Sequence, residues 1–253
     1  MLRFDDIAYG PIHSRRLGSS LGINISPRSG KLCNFDCIYC ECGWNADGRE
    51  DHILPSLKEV VEAIETKLKF CSEAGTPIDS ITLSGHGEPT LHPDFEAVID
   101  ATIALRNRYY PEAKISVLSN STRLSVSSVK SALLKIDNPI LKLDGPSMEV
   151  ISLINKPEGS YNLNEVIENL ASFHGDFVLQ TMMLYAPNEP LLNLECWIFE
   201  WMKLVRLLHP RQVMVYTLDR PSPDTSLRPL AAGYIKTLLQ PLKKEGFNIQ
   251  INA

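Results

Sequence analysis

Four of the six cysteines fall within ten residues: Cys33, Cys37, Cys40 and Cys42. The first three form a C-x3-C-x2-C run, Cys33-Asn-Phe-Asp-Cys37-Ile-Tyr-Cys40. Three thiolates on one short loop can hold three corners of an iron–sulfur cubane and leave the fourth iron open to an external ligand. Two other chemistries also fit. A closed zinc site takes four ligands, with Cys42 as the fourth at a tighter spacing than is usual. A Cys37-x-x-Cys40 pair suits dithiol redox chemistry but leaves Cys33 unused. Cys71 and Cys196 sit in apolar helical segments and read as core residues. Cys42 reads either as tuning access to the site or as incidental.

The elements around these residues alternate. Leu21 to Ser26 reads as a strand, and the cysteine loop follows it. Ser56 is an N-cap with Glu59 as its capping-box partner, opening a helix through Val60, Val61, Ile64 and Leu68 that Gly75 stops. Ile78 to Ser84 is the next strand, then the loop Gly85-His86-Gly87-Glu88-Pro89-Thr90, then a helix from near Pro93. Strands follow over 114–119, 140–144, 177–184 and 212–217, separated by helical patterns over 125–136, 148–154, 164–173 and 191–208. A last helical pattern over 231–245 should break at Pro241, before an extra C-terminal strand over 247–251. Alternation of this kind predicts an α/β fold, a partial (β/α)6 TIM-type barrel of parallel strands. Sites in such folds form at the carboxyl ends of the strands. Polar residues collect there: the cysteines, Gly85–Pro89, Ser119 and Asn120, Lys142 and Asp144 on one face, Gln180, and Tyr216 with Thr217.

The chain has 253 residues, 44% hydrophobic and 22% charged, which excludes a disordered, collagen-like or low-complexity protein. Its formal charge is −5, so it carries no global basic field of the kind a general nucleic-acid binder needs. Charge is uneven, +3 over residues 1–32 and −8 over the rest, so a solvated face or an anionic ligand near the N-terminal segment would fit. No apolar run reaches membrane length and the N-terminus lacks a signal-peptide core, so the expected location is the cytoplasm, where thiols stay reduced.

The C-x3-C-x2-C loop after the first strand, with Tyr39 before the last cysteine, together with Gly87-Glu88-Pro89 after the second, resembles the radical SAM superfamily. Gly10-Pro11-Ile-His-Ser-Arg15-Arg16-Leu-Gly18 and Ser84-Gly85-His-Gly87-Glu88-Pro89-Thr90-Leu91-His92-Pro93 are similar to the group containing the tRNA wyosine-synthesis enzymes. The chain lacks that group's extended basic region. The resemblance implies one core domain over 1–253, with 1–20 as an N-terminal extension and 33–42 as the cluster-binding loop. It implies a [4Fe–4S] cluster on Cys33, Cys37 and Cys40 and S-adenosylmethionine on the open iron. Reductive cleavage would give methionine and a 5′-deoxyadenosyl radical that abstracts hydrogen from substrate.

The resemblance also distributes roles. Gly85 and Gly87 would let backbone approach the methionyl group, Glu88 would orient that loop ahead of Pro89, and Tyr39 would pack beside adenine. Ser119, Asn120, Lys142, Asp144 and Gln180 would contact ribose and carboxylate, with a structural Lys142–Asp144 ion pair as the alternative. Arg15 and Arg16 read as a clamp for an anionic substrate group or as packing at the barrel bottom. His86 and His92 flank the loop, His92 as a helix entrance, and Trp197, Phe199 and Trp201 read as packing of the long helix. Expected partners are an external one-electron reductant of the flavodoxin or ferredoxin type and a small molecule, peptide, nucleoside or partner protein as substrate. Competing readings are a glycyl-radical-enzyme activase, a tRNA-modifying enzyme and a zinc-binding module. No membrane association is expected.

Overall fold

The computed structural model describes residues 6–48 and 51–252; Arg3 and Asp5, two of the charges counted above, lie outside them. The main sheet has eight strands: β1 (Ala8–Ser14), β2 (Gly18–Ile23), β3 (Ser80–Leu83), β4 (Lys114–Ser119), β5 (Asn138–Lys142), β6 (Val178–Met182), β8 (Gln212–Tyr216) and β10 (Ile249–Asn252), in that spatial order. β7 (Leu184–Tyr185) and β9 (Arg228–Pro229) form a separate antiparallel pair. From β2 to β10 every neighbouring pair in the main sheet is parallel. This is the expected six-unit partial barrel with its extra C-terminal strand.

The sheet has two edges, β1 and β10, and it curls so that β10 approaches the turn that follows β1. Gln250 Nε2 of β10 donates to the Arg16 carbonyl in the turn between β1 and β2, 3.5 Å away. Most strand positions are apolar and buried, as expected where helices cover the outer face of a parallel sheet. Alternate residues face inward. Ile140, Val178 and Met214, with Leu17 and Leu118, make a small apolar plug inside the curl. Beneath it lies a hydroxyl ladder, Ser20 to Thr82 (2.8 Å), Thr82 to Ser80 (3.0 Å) and Ser80 to Ser116 (3.0 Å), which pairs buried polar groups across β2, β3 and β4.

The helices are α1 (Leu57–Glu73), α2 (Phe95–Tyr109), α3 (Ser127–Leu134), α4 (Met148–Ile154), α5 (Leu163–Ala171), α6 (Leu194–Leu208), α7 (Ala232–Leu238) and α8 (Gln240–Lys244). The Ser56–Glu59 capping box is present, and α1 buries Val60, Ile64, Leu68 and Cys71. Pro241 falls in the first turn of α8, where its missing N–H costs nothing, and the expected break divides the pattern into α7 and α8. No helix of the described residues is long and apolar enough to cross a membrane.

Two segments differ from the sequence reading, the N-terminal strand and α6. Ala8–Ser14, inside the segment taken as an extension, is an antiparallel strand on β2, and its register shifts between Tyr9 and Ile12. Proline is tolerated on such an edge because no neighbour needs its N–H. Cys196 is exposed on α6 rather than in the core. Phe199 is 65% exposed, whereas Trp197 and Trp201 are buried as expected. The helix begins three residues later than expected, and the delay follows from Asn193, whose side chain caps it by accepting from the Glu195 N–H.

Two stability predictions follow from these placements. Trp201 is fully buried and donates Nε1–H to the Leu143 carbonyl at 3.3 Å. Trp201→Ala should cost about 3–5 kcal/mol and Phe199→Ala less than about 0.5 kcal/mol, read as urea unfolding midpoints. Asp137 accepts from the Ile115 N–H (2.9 Å) and pairs with Arg106 (3.1 Å) and Lys114 (3.3 Å). Partial burial works against its charge, but these partners outweigh it and hold the carboxyl below its ordinary value. A carboxyl lowered by folding stabilises above its unfolded pKa and loses that contribution as pH falls through the folded one. Asp137→Asn should therefore cost about 1–3 kcal/mol at neutral pH and converge with the parent protein in acid, measured by unfolding at several pH values.

Candidate active site

The carboxyl ends of the parallel strands surround a cavity of about 220 Å³. Its wall brings together Cys33, Cys37, Cys40 and Tyr39 from the loop after β2, and Gly85, Gly87 and Glu88 from the loop after β3. Ser119, Asn120, Lys142 and Gln180 line it from β4, β5 and β6. Two expected residues do not reach it. Pro89 is buried in the short helical turn after Glu88, and Asp144 is fully buried behind the wall. Sequence reasoning missed the cavity-lining Lys31 and Met182.

The two loops are joined through the backbone. Leu32 N–H donates to the His86 carbonyl and Glu88 N–H to the Leu32 carbonyl, both at 2.9 Å. Gly87 has φ +144°, and a Cβ there would lie 1.8 Å from the Leu32 oxygen. A Cβ on Gly85 would lie 2.2 Å from the Asn24 carboxamide oxygen. The protein's own packing therefore leaves no room for a side chain at either glycine. Asn45 holds the rest of the cysteine loop, donating Nδ2–H to the carbonyls of Cys33 (3.2 Å) and Phe35 (3.1 Å) and to Glu158 (3.0 Å).

Glu88 is buried. One oxygen accepts from the Thr90 N–H at 3.1 Å and from the Thr90 hydroxyl, and the other accepts from the Asn120 N–H at 2.6 Å. Burial raises its pKa despite these donors. Asn120 in turn donates Nδ2–H to Asn34 (2.7 Å) and toward Cys33 Sγ (3.9 Å), so the β3 loop, the β4 end and the cysteine loop share one network.

A second network holds the other side. Lys142 Nζ donates to the hydroxyls of Tyr39 (2.7 Å) and Tyr216 (2.8 Å) and lies 3.5 Å from Asp144. The Tyr39 hydroxyl donates to Asp144. Asn155 donates to Asp144 (2.7 Å) and to Cys37 Sγ (3.3 Å). Burial opposes the charge on Lys142, but Asp144 and the surrounding acceptors raise its pKa, so it is a fixed cation. The Lys142–Asp144 ion pair read as an alternative from the sequence is present.

Among the thiols, burial pushes Cys33 up and Cys37 up to about 12. Cys40 is lowered, first by a hydrogen bond from the Cys42 thiol and then, against burial, by Lys31. Cys42 lines the same cavity. Lys31 is buried, donates to the Gly43 carbonyl at 2.7 Å and lies 3.5 Å from Asp36. The donor set suits an iron–sulfur cluster: three thiols on one cavity wall, with N–H donors from Phe35 and Asn155 aimed at two of them.

The remaining candidates divide. Arg16 reaches the cavity, while Arg15 pairs with Asp219 at 3.0 Å on the surface, so the two do not form a clamp. His92 donates Nε2–H to the Pro55 carbonyl at 2.9 Å and accepts from the Asp94 N–H at 3.1 Å, a helix-entrance role. His86 is buried with Nδ1 3.3 Å from the Pro27 carbonyl.

Gly87→Ala should separate the two loops. Its expected cost is about 3 kcal/mol or more, from backbone strain and the clash with the Leu32 carbonyl. Iron uptake should fall with it, measured by thermal unfolding and by iron per chain after anaerobic reconstitution.

Residues 28–191 match the radical SAM superfamily. A UPF0026 protein of Helicobacter pylori is 31% identical over 85% of this chain and 67% of its own length. The narrower likeness to wyosine-synthesis enzymes is not carried by this relative. Streptococcus suis SuiB, solved with its precursor peptide SuiA, shares the fold at TM-score 0.63 and 16% identity over 92% of this chain. The structure of anSMEcpe with bound AdoMet does so at TM-score 0.59 and 17% identity over 92% of this chain. The chain spans about half the length of SuiB (48%) and 63% of anSMEcpe. The chain belongs to the radical SAM superfamily, and as such it is an enzyme that works with a [4Fe–4S] cluster and S-adenosylmethionine.

Proposed function

We propose that Cys33, Cys37 and Cys40 hold the cluster and that the cavity beside them binds S-adenosylmethionine and an organic substrate. The supporting observation is the single network in which Glu88 fixes Asn120 and Asn120 reaches Cys33. Held by these three thiolates, the cluster would supply the electron for reductive cleavage of S-adenosylmethionine to methionine and a hydrogen-abstracting 5′-deoxyadenosyl radical.

The protein binds, orients and shields. Backbone carbonyls of the Gly85–Glu88 loop accept from the methionyl ammonium. Ser119, Asn120 and Gln180 present polar groups to ribose and carboxylate, and all three are buried enough to be fixed in place. Lys142 pairs with Asp144 and anchors the Tyr39 hydroxyl within the cysteine loop. Asn155 and the Phe35 N–H stabilise thiolate charge on Cys37 and Cys33. Reduction comes from a flavodoxin- or ferredoxin-type donor in the cytoplasm. SuiB with SuiA and anSMEcpe with a Cp18Cys peptide support a peptide as the substrate class.

The test is anaerobic reconstitution with iron and sulfide, then addition of S-adenosylmethionine and reductant. The parent protein should take up about four irons per chain and form 5′-deoxyadenosine. Cys37→Ala should lose both, and Cys42→Ala should keep its iron. One tightly held zinc and no iron would overturn the reading; loss of iron in Cys42→Ala would revise the ligand set.

A further inference from the structure

Among the described residues, three cations line the cavity: Lys31, Lys142 and Arg16. Lys31 is committed to Asp36 and the Gly43 carbonyl, and Lys142 to Asp144, Tyr39 and Tyr216. The wall's two carboxylates are committed as well. Glu88 is satisfied by Thr90 and Asn120, and Glu41 pairs with Arg220 at 2.7 Å. Arg16 differs: among the described residues no carboxylate pairs with it.

Arg16 is also held in place. The Ser14 hydroxyl oxygen accepts from the N–H groups of Arg16 and Leu17, both at 3.2 Å. Leu17 sits in the apolar plug, and the Arg16 carbonyl accepts from Gln250. The guanidinium then lies over the Tyr216 ring, 5.2 Å from its centroid, and the Tyr216 hydroxyl is fixed by Lys142. Stacking occupies one face of the guanidinium, and among the described residues nothing takes a hydrogen bond from its planar N–H fork. A partly buried cation with a preset backbone and an unused fork is matched by one chemistry, a planar or tetrahedral oxyanion taken bidentately.

We propose that Arg16 recognises an oxyanion, a carboxylate or a phosphate, carried by the substrate at the floor of this cavity. The inference rests on the reading of the cavity as the cofactor and substrate site. It makes Arg16 a specificity-determining residue, contributed by the turn between β1 and β2 rather than by a strand end.

Reconstituted protein saturated with S-adenosylmethionine is titrated separately with inorganic phosphate, acetate and neutral acetamide, following thermal unfolding. Phosphate or acetate should raise Tm saturably and acetamide should not; which anion acts tells a phosphorylated substrate from a carboxylic one. Arg16→Gln should weaken the response about tenfold or more, and Arg16→Lys, which keeps charge without the fork, should retain part of it. Arg15→Gln should match the parent, because Arg15 pairs with Asp219 outside the cavity. S-adenosylmethionine affinity should be unchanged in Arg16→Gln. No anion response in the parent, or an equal response in Arg16→Gln, overturns the proposal. A parallel loss of S-adenosylmethionine affinity also overturns it and assigns Arg16 to the cofactor's own carboxylate. If the parent takes up no iron, the cofactor reading fails separately, and the same titration on that protein still decides the Arg16 assignment.

Discussion

The architecture of the site depends on one close approach of backbone to backbone. The Leu32 carbonyl occupies the space where any side chain at position 87 would begin. That contact lets the cysteine loop lie along the β3 loop as a short parallel bridge, Leu32 to Gly87. Without it, the cysteine loop and the β3 loop would be tied only through side chains such as Asn120. With it, three thiols and a buried carboxylate share one rigid wall, and rigidity of this kind is what cofactor geometry requires.

The opposite wall is held by charge. Lys142, Asp144, Tyr39, Tyr216 and Asn155 form a connected buried network that ends on Cys37. Burying an ion pair is costly unless its remaining hydrogen-bonding capacity is met, and here both partners have several. Asp144 also accepts from the Met182 N–H at 2.8 Å, tying β6 to the end of β5. The network therefore aligns neighbouring strands while it fixes Tyr39. A carboxylate placed behind the wall does this better than one facing the ligand.

Much of the scaffold was legible because its signals are local. The Ser56–Glu59 box, the Pro241 break and the apolar spacing of α1 act within one or two helical turns. β1 was not legible: Gly10 and Pro11 interrupt its alternation, and it forms because β2 offers an edge. Cys196 and Phe199 were misread because a helix with apolar residues nearly all round does not by itself reveal which stripe meets the core.

Residue spacing alone determined that Cys33, Cys37 and Cys40 could act together, and that Lys142 and Asp144, two residues apart, could reach each other at one strand end. A short loop and a two-residue pleat leave little freedom in either case. Tertiary structure decided what those residues touch. It put Arg16 in the cavity and Arg15 on the surface, drew Asp144 behind the wall, and set Gly85 and Gly87 against neighbours that leave no room for a Cβ. Each of these depends on segments tens to hundreds of residues apart. Local periodicity fixes the direction of a side chain, but only the folded chain supplies what it meets there.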